Sequence, residues 1–183
     1  DSELLKLILE VLRKNNFSSA YVYLQLTKGA AQRDHFYPLE YEPTVFIMAT
    51  PISMPRQLKT IKAILMEDIR WQKCNVKSTS LYANTWAKSE AKFQGVEESI
   101  FERQGILTEG ATSNLFIVIK HKVFTPKKNN FILPGVTRDL VLKILDEKKI
   151  VYEEANIPTE MLWKADEVLL TSTTKGIVAV GTI

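Results

Sequence analysis

The sequence is poor in the residues that build covalent or metal frameworks. It has one cysteine, Cys74, and two histidines, His35 and His121, in 183 residues. One cysteine closes no intrachain disulfide, so nothing asks for an oxidising compartment. With the histidines far apart, no metal-ligand spacing arises either. No apolar run approaches the roughly 18 residues of a membrane span. Charge of one sign is also scarce. The 24 basic and 21 acidic residues leave a net +3, spread along the chain. So small an excess does not demand a nucleic-acid partner. The basic pair Lys127-Lys128, between Pro126 and Asn129, reads as a solvated turn. Internal repeats and low-complexity tracts are absent. These absences lead to the expectation of a cytoplasmic protein with no metal, membrane or nucleic-acid partner.

What is present is ordinary globular material. Apolar residues make up 45% and charged residues 25%, enough for one good core or two small lobes. Leu4, Leu5, Ile8, Val11 and Leu12 have helical spacing, with Ser2 as a plausible N-cap and Asn15-Asn16 as a stop. Tyr21 to Thr27 alternates as a strand, and Thr44 to Ala49 forms another. Pro51, Pro55 and the polar residues between them look like a connector. Beyond it, Ile61 to Leu65, Asp68 to Trp71, Ser99 to Arg103, Leu115 to Ile119, Val151 to Glu153 and Glu167 to Leu170 read as strands. Gln104-Gly105 marks a turn. Leu81 to Lys92 reads as a helix ended by Gly95. Thr137 to Lys148 is a second helix, expected to bury Leu140, Val141, Ile144 and Leu145. Strands and helices mix without strict alternation, which favours α+β.

Five segments could carry chemistry. Gly135-Val136-Thr137 opens a helix, where unpaired N–H groups bind phosphate; an N-cap role for Thr137 is the plainer alternative. Thr171-Ser172-Thr173-Thr174 puts hydroxyls at a strand end, or is only a polar turn. Glu109 lies among Thr108, Thr112, Ser113 and Asn114, and could accept a proton from a ring nitrogen or belong to a capping cluster. Arg33 and His35 could clamp a carboxylate, with arginine bidentate, or lie in a solvated loop. Lys77, read alone, is one surface lysine among many.

In this order and spacing the segments reinforce one another. Glu67-Asp68-Ile69-Arg70-Trp71, Lys77-Ser78, Thr108-Glu109-Gly110 with Ser113-Asn114, Gly135-Val136-Thr137-Arg138-Asp139 and Thr171-Ser172-Thr173-Thr174 closely resemble the fold-type IV pyridoxal-phosphate aminotransferases. That group includes D-amino-acid aminotransferases, branched-chain aminotransferases and aminodeoxychorismate lyases. The resemblance runs from about Ser19 to Val180, and Arg33-x-His35 is similar to the carboxylate trap of the D-amino-acid (D-alanine) branch. It implies an α+β, two-lobed fold with a small α/β sandwich lobe and a larger lobe built on a β-barrel-like core. On that pattern residues 1–50 are the remainder of the small N-terminal lobe, whose first part is missing. Residues 51–57 are the interdomain connector, and 58–183 the large cofactor-binding lobe.

The resemblance also implies roles. Lys77 would form a Schiff base with pyridoxal 5′-phosphate and then carry the proton, which calls for a neutral amine lowered in pKa by burial near cations. Glu109 would pair with the pyridine nitrogen. Val136 (through its N–H), Thr137 and Thr173 would hold the phosphate, with Ser172 supporting them. Leu133 would lie beside the ring, and Thr112, Ser113 and Asn114 would line its far side. Arg33 and His35 would reach the neighbouring active site of a homodimer. The implied reaction is transamination between D-amino acids and 2-oxo acids in ping-pong half-reactions. Aminodeoxychorismate lyase and branched-chain aminotransferase are alternatives on the same fold. A truncated, non-catalytic binding protein is the alternative from another class.

Overall fold

The structure, a computed structural model, describes residues 2–36, 39–53 and 57–183. It divides into two compact units, Asp1–Met54 and Pro55–Ile183. The expected connector residue Pro55 lies outside the described residues.

The first unit holds helix α1 (Ser2–Asn15) and strands β1 (Ala20–Thr27) and β2 (Thr44–Pro51). Leu4, Ile8, Val11 and Leu12 form its half-buried stripe, while Leu5 stays exposed. Ser2 lies inside the helix and so is not its cap. Asn16, at φ +51°, ends the helix in the left-handed region that asparagine tolerates. β1 and β2 pair antiparallel, from Ala20 opposite Pro51 to Thr27 opposite Thr44.

The second unit is built on nine strands. In chain order they are β3 (Lys59–Glu67), β4 (Glu98–Arg103), β5 (Ile106–Gly110), β6 (Asn114–Ile119), β7 (Lys122–Pro126), β8 (Tyr152–Ala155), β9 (Ile157–Pro158), β10 (Glu167–Ser172) and β11 (Gly176–Thr182). They form one sheet in the order β8-β7-β6-β10-β11-β3-β4-β5-β9. The sheet curls, bringing β5 beside β6 and β9 beside β7. Its inner face buries Ile61, Ala63, Ile100, Leu107, Leu115, Ile117, Ile157, Leu170 and Val178. Helix α2 (Tyr82–Phe93) packs Ala87 against Phe101 and Ala111. Helix α3 (Val136–Glu147) packs Leu142 and Leu145 against Phe116 and Val123.

Three expectations fail here for physical reasons. Asp68 to Trp71 is irregular; Asp68 and Arg70 are buried because they belong to an ion network, described below. Glu109 is part of a strand, β5, and not of a capping cluster. Helix α3 buries Arg138, Leu142 and Leu145, leaving Leu140 and Ile144 largely exposed. The fully buried Arg138 donates to the Pro126 carbonyl (2.8 Å) and to Glu154 (2.6 Å), and this anchor sets which stripe of the helix faces inward. An inventory of apolar residues cannot see an arginine in that stripe. The expected turn is present: Gln104 (φ +53°) and Gly105 (φ +76°) join β4 to β5 in a two-residue hairpin.

Candidate active site

The curled sheet leaves a cleft of about 340 Å³ in the second unit. All ten residues expected to surround a cofactor line it: Lys77, Glu109, Thr112, Ser113, Asn114, Leu133, Val136, Thr137, Ser172 and Thr173. They come from five places in the chain. Lys77 lies in an irregular segment before α2. Glu109 is the penultimate residue of β5, and residues 112–114 turn into β6. Leu133 precedes α3, whose first two residues are Val136 and Thr137. Ser172 ends β10, and Thr173 follows it. Arg33 and His35 lie in the first unit, exposed, in the irregular segment 28–36.

Glu109 is the best-held group of the cleft. It is 5% exposed. Its Oε1 pairs with Arg70 Nη1. Its Oε2 accepts from Asn114 Nδ2 (2.9 Å) and from the Leu133 N–H (2.9 Å). Arg70 in turn donates from Nε and Nη2 to the two oxygens of Asp68 (2.9 and 2.8 Å) and to the Phe131 carbonyl (2.9 Å). Arg103 Nη2 closes the row, 3.1 Å from Asp68. Charges therefore alternate along Glu109, Arg70, Asp68 and Arg103, which is how buried ions are tolerated.

The ionisation of these groups follows from the row. Burial is the largest influence on Glu109 and pushes its carboxyl up to about 7, against the pull of Arg70 and the Leu133 N–H. For Asp68, burial is outweighed by Arg70, Thr108 and Arg103, which hold its carboxyl below the usual range. Burial, helped by the carboxylates of Asp68 and Glu109, pushes the Cys74 thiol up against the pull of Arg70 and Arg103, so this cysteine is no ready nucleophile.

Glu109 sets a pH dependence. The folded protein holds its proton up to about pH 7, whereas an unfolded glutamate releases it near 4.5. The folded form therefore binds the extra proton between these values. Stability falls as pH rises through that window, by roughly 3 kcal/mol. Chemical denaturation of the cofactor-free protein at pH 5 and pH 7.5 should show this loss, and Glu109→Gln should flatten it.

The helix end is open in the way a phosphate site needs. The N-cap of α3 is Gly135, with no side-chain cap, so the Thr137 hydroxyl is not the cap. A Cβ at Gly135 would lie 1.9 Å from Asn114 Oδ1; only glycine lets the chain pass here.

Other expected residues are placed less simply. Lys77 is exposed; the expected burial is absent because its segment lies at the rim of the cleft. Asn114 lines the cleft, yet its amide nitrogen serves Glu109 and the Leu133 carbonyl (2.9 Å). The Thr112 hydroxyl donates to Glu98 (2.8 Å). Glu98 is 1% exposed and is balanced by Lys88 at 3.4 Å. Sequence reasoning missed Glu98 and Asn84, which support or line this cleft, and gave Thr171, also in its lining, no role beyond membership of the hydroxyl segment. Asn84 donates to the Ala111 carbonyl (2.8 Å), tying α2 to the turn before β6.

The family model of the class IV amino-transferases matches residues 1–183. The chain belongs to this family. A D-alanine aminotransferase of Staphylococcus epidermidis is 36% identical over 182 residues, covering 97% of this chain and 64% of that protein. This class IV chain thus spans less than two thirds of its curated relative. Its fold is that of the solved fold-type IV enzymes. A branched-chain aminotransferase of Escherichia coli superposes with TM-score 0.84 at 29% identity, over 99% of this chain and 61% of that one. An aminotransferase of Brucella abortus, solved with pyridoxal phosphate bound, does so with TM-score 0.80 at 26% identity, over 89% of this chain and 60% of that one. Pyridoxal phosphate is the cofactor of the class IV family. Among the described residues, no helix is long and apolar enough to cross a membrane.

Proposed function

We propose that this chain is the larger part of a pyridoxal-phosphate-dependent aminotransferase that exchanges amino groups between D-amino acids and 2-oxo acids. The observation that carries the reading is the shared cleft: an amine (Lys77), a buried carboxylate (Glu109) and an uncapped helix N-terminus (Val136, Thr137) line it together. The donor set fits the cofactor, since the buried hydroxyls Ser113 Oγ and Thr171 Oγ1 have no partner among the described residues and both residues line the cleft. The relatives named D-alanine aminotransferase, at 32–36% identity, favour the D-branch.

When bound, pyridoxal phosphate supplies a carbonyl carbon for the amino group and a ring that takes up the electron pair left when a substrate Cα–H bond breaks. Lys77 would hold the cofactor through its amine and then move the proton to and from the substrate Cα. Glu109, as the carboxylate, would keep a proton on the ring nitrogen. Asn114, Arg70 and the Leu133 N–H fix its position at no reorganisation cost during reaction. The Val136 N–H with the Thr137 and Thr173 hydroxyls would bind the phosphate, supported by Ser172. Leu133 would pack beside the ring, with Thr112 and Ser113 on its far side. Arg33 and His35 would clamp the substrate carboxylate in the neighbouring subunit of a homodimer, working in the cytoplasm.

Borohydride reduction followed by intact-mass measurement tests the first step: the mass should rise by one reduced cofactor, located on the peptide with Lys77. Amino transfer from D-alanine but not L-leucine supports the D-branch. The reverse result would favour branched-chain specificity, the second reading, which the 29% identity to the Escherichia coli enzyme supports. Release of 4-aminobenzoate would mark a lyase instead. Protein that takes up no cofactor would be a non-catalytic relative.

A further inference from the structure

We propose that the Thr171 hydroxyl is a direct contact of the bound cofactor, on the Glu109 side of the cleft and outside the phosphate cup. This rests on the reading of the cleft as a pyridoxal phosphate site. Thr171 is 2% exposed and lines the cleft. Its Oγ1 is buried with no hydrogen-bond partner among the described residues. A buried hydroxyl without a partner destabilises a fold, and valine would fill the same space without that cost. A threonine here is therefore explained by what enters the cleft.

Strand register says which side it serves. Thr171 in β10 lies directly opposite Asn114 in β6. Directly opposed residues of neighbouring strands share a face of the sheet, with Cβ atoms about 4.5–5.5 Å apart. Asn114 is the residue that holds Glu109. Thr171 thus shares its face with the carboxylate's support. The next residue, Ser172, points to the opposite face, and its hydroxyl accepts the Lys175 N–H of the following turn (3.3 Å).

The test is Thr171→Val, with Thr171→Ser as the conservative variant. Without cofactor, Thr171→Val should melt about 2–5 °C higher than wild type, because an unpaired buried hydroxyl is gone. In fluorescence titrations it should bind pyridoxal, which lacks the phosphate, about fivefold more weakly, the loss of one hydrogen bond. Its affinity for inorganic phosphate should not change, and Thr171→Ser should keep wild-type affinity for pyridoxal. A lower melting temperature would make the hydroxyl a structural partner and overturn the proposal, as would unchanged pyridoxal binding. Weakened phosphate binding would place Thr171 in the cup and overturn the assignment to the ring side. Wild-type protein that binds no pyridoxal phosphate overturns the reading of the whole cleft; wild-type binding that Thr171→Val leaves intact overturns this inference alone.

Discussion

Lys77→Ala is expected to lower amino transfer by about 10²–10⁴-fold, the usual worth of a positioned proton carrier. Among the described residues Lys77 is the only lysine lining the cleft, so no second amine is at hand to take its place. The substitution is at an exposed position, where a change of side chain costs little stability, within about 0.5 kcal/mol. Loss of activity can then be separated from loss of fold by circular dichroism. Borohydride should no longer fix the cofactor to the chain, although the cofactor should still bind through its phosphate and ring contacts. Added methylamine, a small diffusible base, should restore part of the rate. If Lys77→Ala kept wild-type turnover, the role given to this lysine would be wrong.

Arg70→Met should be strongly destabilising. Arg70 is 7% exposed and stands between Asp68 and Glu109. Methionine matches its length but removes the positive charge, leaving the buried Glu109 without its cation and Asp68 with Arg103 alone. Removing one partner of a buried pair costs about 3–5 kcal/mol. For a chain of this size that corresponds to roughly 6–20 °C in melting temperature. The double variant Arg70→Met/Glu109→Gln should recover part of the loss, since one uncompensated charge disappears. Thermal melts of both variants, with no cofactor added, check this. Equal melting temperatures for wild type and Arg70→Met would mean that the ion row contributes nothing to folding.

The elements were legible where side chains alternate or recur locally. α1, β1, β2, α2 and most strands of the second unit lie where their periodicity puts them, because a period of 2 or 3.6 is a local property. What escaped was set by distant partners. Asp68 and Arg70 alternate like a strand, but Arg70, Thr108 and Arg103 bury Asp68, and no strand pairing does. The inward stripe of α3 is chosen by Arg138 reaching Pro126 and Glu154. Glu98 sits in a run of two glutamates whose neighbour Glu97 is exposed, so nothing local marks one of them as buried beneath Thr112. The ten cofactor candidates could be picked out only by their joint order along the chain. That each one lines a single cleft is a fact of the sheet's curl.

The strand order also governs when this sheet can form. β8-β7-β6-β10-β11 and β3-β4-β5-β9 are two hydrogen-bonded halves; among the described residues, the one strand pairing that links them is the parallel pairing of β11 to β3. β3 leaves a ribosome well before β11, which follows it by more than 100 residues, so the seam cannot close until Gly176–Thr182 has emerged. Until then the edge of β3 is an open row of backbone donors and acceptors, and closing so long a loop is slow. A nascent chain stalled before Gly176 would hold β3-β4-β5 with one unpaired edge, the arrangement that invites association with another chain.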